Sequence, residues 1–408
     1  MRRISERLEE RIREQDRAQR LESPPLPRRL PGAPTADAEQ DTPSDGLAKP
    51  LPEAWFVDQR PLLRRRADDA TADLALNAET RWEAMAGEGY LTPASKFFVR
   101  NHAPTPLIDA SEWGLRVEGP GVKRPFTLSY AELLRLPSTT ETRVLECAGN
   151  GRKFFDEVQG RPAKGTNWRL GAVGCAEWSG VPLAEVLDRA GLTSDASEVM
   201  VESLDAARMR RPLPLEKALE ADTLVAYAMN GEVLPEDHGY PARLIVPGWA
   251  AVASVKWVGG LYVSAASEGT LRSPWNTDKY VLTGGLWGEE RAPVTTQTPG
   301  SALELPWPAR LAAGEHLITG RAWSPDSPIE RVEASTDGGK QWFEALLFGA
   351  NVAGAWTRFS FPCTFSRGKY EIRVRAMDAA GRVQPREAAY NSLGYLYGAT
   401  VAHPVEVR

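Results

Sequence analysis

Cysteine is scarce in this chain of 408 residues, and the arrangement of its three copies excludes two kinds of site. Cys147, Cys175 and Cys363 lie far apart and form no Cys-x-x-Cys pair. The sequence therefore carries neither a zinc site of paired cysteines nor a disulfide framework. An odd number of widely spaced cysteines is compatible with a reducing compartment.

The chain has no excess of positive charge, because its 49 Lys and Arg residues are outnumbered by 54 Asp and Glu residues. The net charge of -5 gives no general attraction to nucleic acid or to an anionic membrane, so an anionic ligand needs a local site. No apolar run reaches the roughly 18 residues that a membrane span needs. Met1-Arg2-Arg3 precedes no apolar segment, and we expect a cytoplasmic protein, with the periplasm as the alternative.

Several catalytic signatures are missing as well. The chain has no Gly-x-Ser-x-Gly, no His-Glu-x-x-His, no Walker lysine loop and no Gly-x-Gly-x-x-Gly after a strand. These absences argue against α/β-hydrolases, zinc proteases, P-loop enzymes and dinucleotide-binding enzymes.

The composition divides the chain into three parts. Residues 1–75 are a charged extension, rich in Pro, Ala and acidic residues after residue 21, and predicted to be largely flexible. Its first turns place Ile4, Leu8 and Ile12 on one stripe, which fits a short solvated helix or, alternatively, a partner-docking helix. Residues 76–285 mix short strands with short helices and predict an α+β body.

Residues 286–408 have a different sequence pattern, in which predicted strands are separated by turn residues. Strands are predicted over 317–324, 329–335, 357–361 and 370–377. Asp337-Gly338-Gly339 is a strong hairpin signal between two of them. This part therefore predicts an immunoglobulin-like β-sandwich.

The stretch Arg143-Val-Leu-Glu-Cys-Ala-Gly-Asn-Gly-Arg152 is the most informative in the sequence. A short apolar strand delivers Cys147 into a turn in which Gly149 and Gly151 allow positive φ or close approach of a ligand. Arg152 brings a cation near the sulfur, and a nearby cation favours the metal-ligating thiolate. The alternative is a small buried hydrophobe, the usual state of a lone cysteine.

This decamer resembles the molybdenum-ligating segment of the sulfite oxidase family of molybdopterin enzymes, in which Cys-Ala-Gly-Asn precedes one or two basic residues. The resemblance implies that Cys147 ligates the metal of a molybdenum-molybdopterin cofactor. Residues 76–285 would then be the molybdopterin-binding catalytic domain.

Phe98-Val-Arg-Asn-His102 is similar to the family's strand for pterin and substrate. The resemblance implies that Phe98 and Asn101 line the cofactor site, that Arg100 binds an anion and that His102 hydrogen-bonds the cofactor. Side-chain alternation along a strand predicts Arg100 and His102 on one side and Asn101 on the other. Taken alone, Arg100 would be a surface charge and His102 a hydrogen-bonded core residue.

The segment Met229-Asn-Gly-Glu-Val-Leu-Pro-Glu-Asp-His-Gly-Tyr-Pro-Ala-Arg243 is the longest match to the family. The resemblance implies that His238 and Arg243 grip the phosphate and ring edges of the pterin, through strong charge-assisted hydrogen bonds. Ser254-Val-Lys-Trp257 adds Ser254 and Lys256 as further cofactor contacts.

Two aromatic residues are implied to shape the substrate pocket. Trp168 ends Pro162-Ala-Lys-Gly-Thr-Asn-Trp168, which is similar to the family's loop against that pocket, although a core role is the alternative. Tyr280 in Trp275-Asn-Thr-Asp-Lys-Tyr resembles the family's pocket tyrosine. Arg100 and Arg152 would hold the substrate oxyanion.

The β-sandwich resembles the family's C-terminal dimerisation domain through Arg321-Ala-Trp-Ser and Arg373-Val-Arg-Ala-Met-Asp, so a homodimer is implied. The resemblance covers roughly residues 85–400. The chain lacks His-Pro-Gly-Gly and Cys-x-x-Cys-His segments, so no haem domain is predicted and electrons would pass to an external acceptor such as a cytochrome or oxygen.

Two positions depart from the family pattern. Gly151 takes a place that is often basic, and Leu393 stands where animal sulfite oxidases carry a pocket arginine. The resemblance implies oxidation of sulfite to sulfate, and these departures leave two alternatives open. One is oxo-transfer on nitrate or a sulfoxide by the same cofactor, and the other is an inactive binding protein of the same fold.

Overall fold

The computed structural model describes residues 76–408, so the predicted N-terminal extension lies outside the described residues. Short strands and helices fill the first part of this range. The strands are β1 (Asn77–Ala78), β2 (Val99–Arg100), β3 (Gly114–Glu118), β4 (Phe126–Ser129), β5 (Thr139–Glu146), β6 (Val173–Pro182), β7 (Ala196–Ser203), β8 (Arg210–Pro214), β9 (Leu224–Met229), β10 (Glu232–Val233), β11 (Arg243–Ile245), β12 (Val258–Ala265), β13 (Val281–Leu282) and β14 (Ala292–Pro293). The α-helices are α1 (Tyr130–Leu133), α2 (Lys153–Glu157), α3 (Leu183–Ala190), α4 (Leu215–Ala218) and α5 (Pro274–Thr277).

Ten of these strands form two five-stranded sheets, while β1 pairs with β2 and β13 with β14. In one, the order is β10-β9-β6-β5, and β11 also pairs with β9. In the other, the order is β4-β3-β12-β7-β8, where only the β3–β12 pair is parallel. Nearly every residue of β6 and β9 is buried, as expected for strands covered on both faces. The α+β body predicted from the mixed pattern is confirmed.

The segment Leu128-Ser-Tyr-Ala-Glu-Leu-Leu predicts a short capped helix, and capping chemistry fixes where that helix begins. The Ser129 backbone N–H donates to Glu132 Oε2 at 2.9 Å, and the Glu132 N–H donates to Ser129 Oγ at 3.3 Å. This reciprocal capping box starts the helix at Tyr130, two residues later than predicted. Leu128 instead completes strand β4 and is buried.

The C-terminal part is a sandwich of two antiparallel-rich sheets, which confirms the predicted β-sandwich. Its strands are β15 (Gly300–Leu303), β16 (Ala309–Leu311), β17 (Gly314–Trp323), β18 (Ile329–Ser335), β19 (Phe343–Glu344), β20 (Leu346–Phe348), β21 (Trp356–Phe365), β22 (Gly368–Asp378) and β23 (His403–Val407). The sheet orders are β15-β17-β21-β20 and β16-β23-β22-β18-β19. Alternating apolar residues such as Ile318, Val332 and Phe359 fill the space between the sheets.

A tryptophan cluster and a buried ion pair join the two domains. Trp82 of the first domain stacks on Trp323 of the sandwich with 5.9 Å between ring centroids. Arg321 pairs with Glu304 at 2.8 Å and donates to the Tyr90 carbonyl at 2.8 Å. The sandwich is therefore packed directly against the sheet that carries Cys147.

Candidate cofactor site

An open cleft of about 680 Å³ lies at the ends of several strands of the first domain. It gathers residues from six separate stretches of chain, which is what a site built on strand ends and loops requires. The predicted residues that line it are Phe98, Arg100, Asn101, His102, Cys147, His238, Arg243, Ser254, Lys256 and Tyr280. The sequence motifs therefore converge on one place.

Cys147 follows the last residue of β5 and begins a tight turn. Its N–H donates to the Ala172 carbonyl at 2.8 Å, and its carbonyl accepts from the Asn150 N–H at 2.9 Å. The Leu396 N–H closes the turn by donating to the Ala148 carbonyl at 2.8 Å. Gly151 has φ 76°, a left-handed conformation that disfavours a side chain, and a Cβ there would lie 2.9 Å from the Tyr397 side chain.

Glu146 ties this turn to the sandwich. Its Oε1 accepts from Asn150 Nδ2 at 2.8 Å, and its Oε2 accepts from Trp323 Nε1 at 2.9 Å. Burial raises the pKa of Glu146 to about 7, although these two hydrogen bonds oppose the shift. The carboxyl beside the cysteine thus links the turn to a second domain.

The nearby cations favour the thiolate of Cys147 as expected, but the burial of the residue acts against them. The residue is 6% exposed, and this desolvation raises the pKa of the thiol. Arg100 and Arg152 act in the opposite direction but do not outweigh it. In the protein by itself the sulfur is therefore a protonated thiol, and a metal ion that displaces the proton would make it a thiolate.

The alternation predicted for residues 100–102 is wrong, because Arg100, Asn101 and His102 all line the cleft. Strand β2 ends at Arg100, so the two following side chains no longer alternate across a sheet. The Arg100 guanidinium donates to Asn77 Oδ1 at 3.0 Å and also to the Asn101 carbonyl. This pairing holds a cation at the edge of the cleft.

His102 and Tyr280 form a hydrogen-bonded pair at the wall of the cleft. The distance from His102 Nε2 to Tyr280 Oη is 2.7 Å. Burial, reinforced by Arg100, lowers the pKa of His102 well below its ordinary value, so the imidazole is neutral. Burial likewise raises the pKa of Tyr280, so the pair exchanges hydrogen bonds without carrying charge.

Arg243 is a cation buried in the floor of the cleft. It is 4% exposed and donates to the carbonyls of His238 and Ser254, both at 3.0 Å. Its guanidinium also lies 4.9 Å from the ring centroid of Trp178. Burial lowers the pKa of Arg243 to about 9, which leaves it charged at neutral pH.

Lys256 adds a second cation to the same floor. Its Nζ donates to the Asp237 carbonyl at 2.7 Å and to Asn101 Oδ1. The ammonium also lies 4.2 Å from the ring centroid of Trp257. Asn101 therefore connects the Arg100 edge of the cleft to the Lys256 floor.

Two predicted residues stand outside the cleft lining. Trp168 is fully buried in the cluster that contains Cys147, and its Nε1 has no hydrogen-bond partner among residues 76–408. Arg152 is 5% exposed and donates to the Leu393 carbonyl at 2.9 Å and the Thr166 carbonyl at 2.7 Å. Their roles toward a substrate stay predictions.

The cleft also contains residues that sequence reasoning missed. Ser203, Asp205 and Met209 reach it from the connection between β7 and β8, and Trp257 from the end of a matched segment. The connection has no cysteine, histidine or glycine-rich signal that would mark a site. The indole of Trp257 donates to the Glu236 carbonyl at 2.7 Å, which fixes it beside the His238 turn.

The residues present fit an anionic cofactor that brings its own metal. Arg100, Arg243 and Lys256 outnumber the single carboxylate, Asp205, so the cleft is positive. Within residues 76–408 no cluster of three or more His, Cys, Asp or Glu side chains could hold a metal ion. A metal held mainly by an organic ligand needs only one soft protein ligand, and Cys147 supplies it.

Comparisons with known proteins agree with this arrangement. Residues 102–271 match the family described as oxidoreductase molybdopterin binding domain, and residues 300–407 match the Mo-co oxidoreductase dimerisation domain. The chain is 38% identical over 336 residues to the sulfite oxidase of Gallus gallus, covering 77% of this chain and 72% of that protein. It is 35% identical to the mitochondrial sulfite oxidase of Mus musculus, covering 79% of this chain and 62% of that protein.

A solved structure is also similar over most of the chain. It is the crystal structure of the sulfane dehydrogenase SoxCD from Paracoccus pantotrophus, with a TM-score of 0.72 at 30% identity, covering 82% of this chain and 85% of that one. Together with the matched domains and the cleft around Cys147, these likenesses establish the relationship. This chain belongs to the sulfite oxidase family of molybdopterin-dependent oxidoreductases.

Proposed function

We propose that this protein holds a molybdenum-molybdopterin cofactor through Cys147 and oxidises sulfite to sulfate. The observation that carries the proposal is a lone cysteine turn opening on a positive cleft, in a chain whose relatives include sulfite oxidases. In the overall reaction sulfite and water give sulfate, two protons and two electrons. The electrons pass to an external acceptor, for which a cytochrome or oxygen is our proposal.

The cofactor, when bound, supplies oxygen-atom transfer and two-electron redox chemistry. The chain supplies binding and orientation. Arg243 and Lys256, with the imidazole of His238, offer donors to an anionic pterin from the floor of the cleft. Cys147 supplies the soft sulfur ligand at the cleft wall.

The substrate anion needs positive charge and oriented donors beside the sulfur ligand. Arg100 lies at the cleft edge, and Arg152 lies behind the Cys147 turn, so both raise the local potential. Tyr280 is held by His102 and keeps a hydroxyl at the same wall. These groups orient an oxyanion without changing their own charge.

Replacement of Cys147 by Ser tests the proposal. We expect Cys147→Ser to abolish reduction of ferricyanide by sulfite, because a serine hydroxyl is a poor soft-metal ligand. Cys363→Ser is the matched control, since Cys363 lies in the sandwich strand β21, and it should retain turnover. Molybdenum content is measured on each protein, and full turnover by a molybdenum-loaded Cys147→Ser protein would refute the ligand assignment.

A second candidate keeps the cofactor and changes the substrate to nitrate or a sulfoxide. It rests on Leu393, whose side chain packs against the main core and brings no charge to the site. Substrate profiling of molybdenum-loaded protein separates the two candidates. The remaining alternative, an inactive binding protein, would be supported if the purified protein contains no molybdenum.

Assembly and location are part of the same proposal. The matched dimerisation domain over residues 300–407 supports a homodimer, which size-exclusion chromatography with light scattering would test. Among residues 76–408 no helix is long and apolar enough to cross a membrane. A cytoplasmic location, with the periplasm as the alternative, stays a prediction that fractionation of cells would test.

A further inference from the structure

Arg152 is a buried charge with no acidic partner among the described residues, 76–408. Its Nε and Nη1 donate to the carbonyls of Leu393 and Thr166, at 2.9 and 2.7 Å. No carboxylate of residues 76–408 lies within ion-pair distance of it, and Nη2 donates to none of their atoms. The cation is therefore held by carbonyl dipoles behind the Cys147 turn, from where its charge raises the potential of the cleft.

Three glycines lie directly against the Arg152 side chain. A Cβ added at Gly149 would lie 2.5 Å from Nη2, one at Gly165 would lie 2.7 Å from Nη1, and one at Gly394 would lie 2.7 Å from Cγ. Such distances are shorter than any side chain tolerates, so backbone crosses Arg152 closely at three places. Arg152 cannot move toward any of these three glycines.

The ring of Tyr395 lies on Arg152 as a further neighbour. The guanidinium carbon is 5.0 Å from the Tyr395 ring centroid, within the range of a cation–π contact. Tyr395 also stacks on Tyr280, with centroids 5.2 Å apart and an angle of 14° between the rings. Arg152, Tyr395 and Tyr280 therefore form one continuous stack, and Tyr280 is joined to His102 at the cleft by the 2.7 Å hydrogen bond and an edge-to-face ring contact.

We propose that Tyr395 is a positioning residue that fixes the charge of Arg152 and the ring of Tyr280 relative to each other, and thereby sets the affinity of the site for an oxyanion. Leu393 adds no charge here, so the anion depends on Arg152 staying where the glycines and Tyr395 hold it. The inference rests on the proposed function, because the oxyanion is its substrate or product.

Replacement of Tyr395 by Met tests the inference, since methionine fills a similar volume without a flat ring. We expect Tyr395→Met to raise the KM for sulfite about tenfold and to change kcat by less than about threefold, because Arg152 and Tyr280 lose the ring that fixes their positions and the anion then meets a less well-placed charge. The dissociation constant of sulfate, measured by calorimetry on oxidised, molybdenum-loaded protein, should rise by the same factor. Tyr395→Phe keeps the ring and should restore both values.

Tyr390→Leu is the matched control, because Arg161 lies 3.8 Å from the Tyr390 ring in a comparable contact outside the stack. It should leave KM and sulfate binding unchanged. Gly394→Ala is a second test, since a Cβ there would lie 2.7 Å from Arg152 Cγ and 2.6 Å from the Ala163 Cβ at φ 61°, so the backbone that holds Arg152 must shift and sulfate binding should also weaken. It serves if Tyr395→Met does not fold.

The outcomes separate this inference from the proposed function. If the wild-type protein fails to oxidise sulfite and still binds sulfate more tightly than Tyr395→Met does, that result would refute the proposed function and support the inference. The inference would be refuted, even if sulfite is oxidised, if wild type and Tyr395→Met bind sulfate with equal affinity or if neither protein binds sulfate. A fall in kcat with unchanged KM would also refute it.

Discussion

The hydrogen bond between Trp323 and Glu146 gives a quantitative test of how the sandwich supports the cysteine turn. Trp323→Phe keeps an aromatic ring beside Trp82 but removes the indole N–H that donates to Glu146 Oε2 at 2.9 Å. The carboxyl then keeps only its bond from Asn150. We expect a loss of stability whose size depends on pH.

The magnitude follows from the protonation of Glu146. Its pKa is raised from 4.5 to about 7 in the folded protein, so the protonated carboxyl stabilises the fold at low pH and this contribution is lost as the pH rises through 7. Above that value the lost bond is charge-assisted and worth about 1.5–3 kcal/mol. Below it the lost bond is neutral and worth about 0.5–1.5 kcal/mol.

Urea unfolding of cofactor-free protein, followed by circular dichroism at about pH 6 and about pH 8.5, measures both values. Removing the cofactor leaves the free energy of metal binding out of the comparison. Trp342→Phe is the control, because the Trp342 indole donates to a neutral carbonyl, that of Gly339, at 3.0 Å. Its loss should be the same at both pH values.

An equal loss at both pH values for Trp323→Phe would refute the assignment of a titrating carboxyl to this bond. A loss below about 0.5 kcal/mol at the higher pH would show that the bond does not tie the domains together.

Three further predictions concern other parts of the protein. Burial lowers the pKa of His403 to about 4, so the free energy of unfolding should fall by about 3 kcal/mol as the pH drops from 6.5 through 4. His403→Phe should abolish this acid-dependent loss, measured as the pH dependence of the urea midpoint. Glu304→Ala leaves Arg321 buried without its 2.8 Å partner and should cost about 3–5 kcal/mol in urea unfolding. Arg243→Met removes a buried donor from the cleft and should lower the molybdenum content of purified protein, measured by mass spectrometry.

Each of these expectations has a contradicting outcome. If the stability of wild type and of His403→Phe falls equally as the pH drops from 6.5 to 4, another group is responsible for the acid-dependent loss. A Glu304→Ala protein as stable as wild type would show that Arg321 finds another partner, whereas Glu406→Ala, at an exposed pair, should change nothing. Full molybdenum content in Arg243→Met would remove Arg243 from the cofactor contacts.

Local patterns were enough to predict much of the fold. The apolar spacing of Pro182-Leu-Ala-Glu-Val-Leu-Asp-Arg-Ala predicts a helix, and the structure has one at Leu183–Ala190. Turn residues likewise mark the ends of the sandwich strands. The two-sheet arrangement of the first domain was not predicted, because β3 pairs in parallel with β12 from far along the chain. Short-range patterns carry no information on such pairing.

The site was predictable where chemically demanding residues stand in matched segments, such as His238 and Arg243. Asp205 and Met209 carried no such signal, because they sit in a connection that becomes part of the cleft only when the sheet forms. The protonated state of Cys147 was missed for a related reason. Arg152 is visible in the sequence, but the burial that outweighs its charge is a property of the folded protein.

The turn that presents Cys147 is closed by residues from distant parts of the chain, and this constrains when the protein can receive its cofactor. Leu396 donates to Ala148, and the bond from Arg152 to Leu393 spans 241 residues. A growing chain on the ribosome cannot make these contacts until almost all of it has been synthesised. We therefore expect cofactor insertion to follow translation, and a chain truncated before Leu393 to be translated normally yet to purify without molybdenum.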